Sequence, residues 1–184
     1  MLRGNKELGL AFLVMIVITG LYGLVVFLTR EIPPARELFG HGIGIVGFLF
    51  MLMTETLYSL RKRSRSLKWG KMSNWLQFHI FTGLVGPYMV LLHTSWKFNG
   101  IAGVTTLFTV IIVVSGFIGR YIYTRIPRTM DGLEDEGSVS QEALKQARRL
   151  MALWHTIHIP IGMALFVSAF VHIGAALYYA TFLK

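Results

Sequence analysis

The chain has 184 residues, no cysteine, a net charge of +9, 54% hydrophobic residues and a mean hydropathy of +0.58. That apolar excess lies beyond the usual balance of a soluble domain. The lack of cysteine excludes disulfides, thiolate metal sites and a covalently attached c-type haem, so any cysteine-held iron–sulfur cluster must sit in a partner.

The apolar residues fall in five blocks, about 8–28, 39–60, 74–96, 103–124 and 150–180. At 1.5 Å per residue each is long enough to cross a hydrocarbon core about 30 Å thick. In lipid each must be a helix, because a lone strand would leave its backbone groups unpaired. The expected fold is therefore an all-α integral membrane protein, a single domain of five transmembrane helices. The first block, from Leu8 to Leu28, exceeds a typical signal-peptide core and has no A-x-A-like site after it, so it reads as a retained span.

The connections follow the same order. The first is short and proline-marked, Thr29-Arg-Glu-Ile-Pro-Pro-Ala-Arg-Glu37, and the second is the basic stretch 61–71. The third, Lys97-Phe-Asn-Gly-Ile-Ala102, is short enough to demand an antiparallel hairpin. The longest, 125–149, carries the acidic cluster Asp131-Gly-Leu-Glu-Asp-Glu136. Ser138 with Gln141 forms a capping-box pattern, predicting a helix that runs through 142–149 into the fifth span.

Of the 18 basic residues, all but Arg30, Arg36, Lys97 and Lys184 fall on one side of the membrane in this arrangement. Arg3, Lys6, the 61–71 cluster, Arg120, Arg125, Arg128, Lys145, Arg148 and Arg149 share that side. The bias predicts N-terminus in, C-terminus out, in a cytoplasmic membrane. The charge thus reads as a topology signal with anionic-lipid contact, and nucleic acid is not an expected partner. Trp69, Trp75 and Trp154 fall near the inner interface and Trp96 near the outer, as belt aromatics do. Gly40-His-Gly-Ile-Gly-Ile-Val-Gly47 resembles a nucleotide loop but follows no strand, so that reading fails on context.

Of the six histidines, His79 and His93 lie 14 residues apart on the third span, and His158 and His172 repeat that spacing on the fifth. Fourteen residues turn a helix about 1400°, about 40° short of four turns, and rise about 21 Å. Both rings of a pair therefore leave nearly the same face. The two spans run in the same direction, which predicts an inner level, His79 with His158, and an outer level, His93 with His172. Each level offers the two axial imidazoles that a haem iron needs. Gly83 and Gly162, each four residues after the first histidine, and Gly86 are the small residues expected where a flat macrocycle approaches a backbone, or where helices merely pack.

These paired His-x13-His segments make residues 74–180 resemble the membrane-bound dihaem cytochromes b. Their placement on spans three and five is similar to the transmembrane domain of ferric reductases. The resemblance implies a four-helix haem-binding bundle plus one helix, two b-type haems, electron exchange with quinone, and partner subunits such as a c-type cytochrome or an iron–sulfur or flavin protein. It implies an electron-transfer subunit rather than a self-sufficient enzyme. The alternatives are a ferric-reductase-like transmembrane reductase of an external acceptor and a non-haem transporter or metal enzyme.

Further residues are assigned around this frame. His155 rivals His158, but lies 17 residues from His172 and so points about 100° away. It reads either as the ligand or as a contact to a haem propionate or quinone. Arg120 and Arg125 read as propionate partners or as plain topology charges. His41, opening the second span, reads as a proton-accepting group of an outer quinol site or as an interfacial histidine. Glu55 reads as a proton relay or as a carboxylate reaching toward Arg61 and Lys62.

Overall fold

The computed structural model describes residues 6–63, 70–124 and 141–182. It contains five helices: α1 (Lys6–Thr29), α2 (Leu38–Arg63), α3 (Met72–His93), α4 (Gly100–Thr124) and α5 (Gln141–Phe182). All five are long and apolar enough to cross a membrane, and no strand occurs among the described residues. The expected capping residue Ser138, the acidic cluster 131–136, Arg65, Lys68, Trp69 and Arg125 lie outside the described residues.

Packing is inverted relative to a water-soluble bundle. Large apolar side chains point outward, with Phe12 63% and Val167 64% exposed. The buried positions are mostly small or hydroxylated: Ala11, Thr82, Gly86, Thr105, Thr109, Ser115 and Ala169. This is the composition of helix contacts in lipid, where no hydrophobic drive favours burying Leu over leaving it against acyl chains. The buried hydroxyls of Thr105, Thr106 and Thr109 donate to carbonyls on their own helix, at 3.0, 2.9 and 2.8 Å, so no donor there is stranded in hydrocarbon.

The chain forms two compact units, Met1–Phe98 and Asn99–Lys184. In the first, α3 packs against both α1 and α2. Helices α2 and α3 run antiparallel, with Gly44 against His93, Gly47 against Gly86 and Thr54 against Thr82. At the Gly47–Gly86 crossing backbone meets backbone: a Cβ on either residue would lie 2.9 Å from the other's carbonyl oxygen. The Thr19 hydroxyl donates to Met15 O on its own helix and accepts from the Tyr88 hydroxyl, tying α1 to α3. In the second unit α4 and α5 run antiparallel, with Gly119 against Trp154, Ser115 against His158 and Ile112 against Gly162.

Two helix ends differ from the hydropathy reading. Helix α3 stops at His93 because Ser95 and Trp96 adopt left-handed backbone conformations, φ 49° and 62°, while the Ser95 hydroxyl donates to Pro33 O at 2.6 Å. Helix α5 begins at Gln141, nine residues before the apolar block, and continues for 42 residues through Pro160. Its length of about 63 Å is about twice the hydrocarbon thickness.

Candidate functional site

The histidines of α3 sit on its seam with α2. Counting from His79, the positions that meet α2 are Thr82, Gly83, Gly86, Met89, Val90 and His93. This is a heptad rhythm, and a 14-residue separation is two heptads. The spacing that pairs the imidazoles on one face therefore also places them on the face that packs.

Each of these imidazoles is fixed by a carbonyl. The His79 Nδ1–H donates to Thr54 O at 3.0 Å, and the His93 Nδ1–H donates to Gly40 O at 2.8 Å. A carbonyl only accepts, so each ring carries a proton on Nδ1, and in the neutral imidazole Nε2 then keeps its lone pair. That is the tautomer and the outer-shell arrangement of a metal-ligating histidine. Gly44 makes the second bond possible, because a Cβ there would lie 2.6 Å from His93 Nδ1. Around His79 the Thr54 hydroxyl donates to the Thr82 hydroxyl at 2.7 Å, and the Tyr58 ring lies 4.9 Å away, centroid to centroid.

In the second unit, His158 Nδ1 lies 3.0 Å from the Ser115 hydroxyl. Trp154 donates its Nε1–H to Ser115 O at 2.7 Å and reaches the hydroxyl at 3.2 Å. Its ring lies 4.5 Å from His158 and 4.8 Å from His155. His155 donates through Nδ1 to Met151 O on its own helix at 3.0 Å. Gly162 is buried one turn beyond His158, and His172 is half-buried near the far end of α5.

The other expected residues distribute as follows. His41 is exposed and its ring lies 6.3 Å from that of His93, edge to face. Glu55 is exposed, accepts from the Ser59 hydroxyl at 3.5 Å, and is the carboxylate whose field reaches His79. His41 and Glu55 lie 14 residues apart along α2, about 21 Å, so they do not form one site. Arg120 is half-buried on the last turns of α4. Gly83 and Gly86 both face α2, toward Thr54 and toward Gly47 and Met51. Among the described residues no three histidine or carboxylate side chains gather as a metal cluster.

Sequence reasoning passed over Ser115, Gly44 and Gly119 and took Trp154 for an interfacial aromatic. The usable signal was the spacing Trp154–His158, which places indole and imidazole one turn apart on one face. Comparison with known protein families, curated proteins and solved structures finds no match for this chain.

Proposed function

We propose that this chain is the membrane-spanning electron-transfer subunit of an oxidoreductase complex, binding two b-type haems with histidines of α3 and α5 as axial ligands. In this reading His79 and His158 are the axial ligands of the inner haem, and His93 and His172 those of the outer. The N-terminus lies on the cytoplasmic side, in accord with the charge bias, and electrons exchange with quinone and with partner subunits. When bound, the haems supply one-electron redox chemistry across the bilayer.

The observation that carries this reading is the pair of carbonyl-held imidazoles on α3, two heptads apart, each with Nδ1 committed as donor. Such a ring can present Nε2 to an iron without first changing tautomer. His79 and His93 thus each fit the donor chemistry of one axial ligand, one at each level. The chain's own work is to hold and orient these rings, and to keep water from them with the apolar helix surfaces around them. The α5 segment before Leu150, with Glu142, Lys145, Arg148 and Arg149, extends the fifth helix toward the aqueous side, where a partner can meet it.

The test is a reduced-minus-oxidised absorbance spectrum of the purified protein, followed by a pyridine haemochrome assay. Two b-type haems per chain are expected. A haem-free protein, or one haem per chain, would sink the two-level arrangement.

A further inference from the structure

His158 is held differently from the two histidines of α3. Its Nδ1 meets a hydroxyl, that of Ser115, at 3.0 Å, whereas His79 and His93 meet carbonyls. The same hydroxyl oxygen lies 3.2 Å from the Trp154 indole nitrogen, whose N–H also reaches the Ser115 carbonyl at 2.7 Å. The indole occupies the space that a Cβ at Gly119 would need, so this seat exists because residue 119 has no side chain. Ser115 and Gly119 are both buried.

Hydrogen bonds that share an atom polarise one another. With Nε2 of His158 kept for an iron, its Nδ1–H donates to the Ser115 hydroxyl, and this donor and the indole N–H then compete for the oxygen's lone pairs, so each bond is weaker than it would be alone. An imidazole whose Nδ1–H is held by a strong acceptor becomes a stronger donor through Nε2. One held by a hydroxyl already engaged by an indole gains less. Outer-shell hydrogen bonding of this kind is one of the levers by which a protein sets a haem potential.

We propose that Ser115 and Trp154 are positioning residues that set the donor strength of His158 as an axial ligand. The hydroxyl orients and polarises the imidazole, and the indole N–H moderates the hydroxyl. This inference rests on the haem reading given above. A stronger axial donor favours the ferric state, which fixes the sign of each effect. Removing the hydroxyl raises the midpoint potential of the haem bound to His158. Removing only the indole N–H frees the hydroxyl to pull harder, and lowers that midpoint.

The experiment is a spectroscopic redox titration of the intact purified protein. Ser115→Ala should raise one of the two midpoints, changing the oxidised-to-reduced ratio at fixed ambient potential roughly fivefold, while the other midpoint stays. Trp154→Phe, which keeps an aromatic ring, should move the same midpoint the opposite way. Ser115→Thr, which keeps the hydroxyl, should restore the wild-type value. Shifts of the same sign in Ser115→Ala and Trp154→Phe overturn the proposal, as do unmoved midpoints in variants that retain both haems. Should Ser115→Ala lose one haem outright, its return in Ser115→Thr supports the positioning role, and its continued absence overturns it. A wild-type protein with no b-haem spectrum overturns the haem reading itself, and this inference with it.

Discussion

A Cβ on Gly44 would fall 2.6 Å from Nδ1 of His93, the nitrogen that donates to Gly40 O at 2.8 Å. The imidazole therefore occupies the volume that any other residue at position 44 would claim. Gly44→Ala should displace the ring and destabilise the protein by about 1–3 kcal/mol, the usual range for overpacking. On the proposed reading it should also release one of two haems. Thermal unfolding and haem stoichiometry check both parts, and an unaltered variant would mean that His93 is not seated on Gly44.

The Gly47–Gly86 crossing sets a harder limit, because backbone meets backbone there. Gly86→Val should separate α2 from α3 and abolish the monodisperse peak in detergent gel filtration. Gly20→Ala and Gly116→Ala meet nothing within 4 Å and should be neutral, or stabilising by about 0.5–1 kcal/mol through helix propensity.

Thr54→Val separates side chain from backbone at one position. It removes the hydrogen bond to Thr82, worth about 0.6 kcal/mol between membrane helices. The Thr54 carbonyl that holds His79 remains. A small loss of thermal stability is expected and, on the proposed reading, both haems should persist; loss of a haem would show that the hydroxyl, not the carbonyl, governs His79.

Tyr22 carries a buried hydroxyl without a hydrogen-bond partner among the described residues. Its ring packs against Phe39, with centroids 6.2 Å apart. Tyr22→Phe keeps that contact and removes an unmet desolvation cost of about 1–3 kcal/mol. The melting temperature should hold or rise, and a clear fall would reveal a partner for the hydroxyl.

On the proposed haem reading, His155 and His158 are rival candidates for one ligand position on α5. His155 is held by its own helix, through Met151 O, and His158 by α4, through Ser115. On that reading His158→Ala should lose one haem and His155→Ala should keep two. The reverse result would reassign the ligand.

Much of this architecture is legible in hydropathy, because a bilayer imposes a minimum apolar length on each helix and forbids other backbone forms. Helix ends are less so. Hydropathy reports where lipid begins, not where a helix stops; the run of α5 through Glu142–Arg149 is legible instead in the Ser138/Gln141 capping pattern. By contrast, Ser95 ends α3 through a bond to Pro33, 62 residues away in sequence. Histidine spacing reveals a shared face, but periodicity within one helix is silent about which neighbour that face meets. Gly83 and Gly86 turn to α2 for that reason, and Trp154 could not be distinguished from a belt aromatic without knowing that Gly119 lies opposite it.

Pro160 interrupts the backbone hydrogen bonding of α5, since it has no N–H to offer the carbonyl one turn earlier. Helices bend where that ladder is broken. The proline falls between His158 and His172, so any bend of α5 at that break would turn the segment carrying the charged residues and His158 against the segment carrying His172.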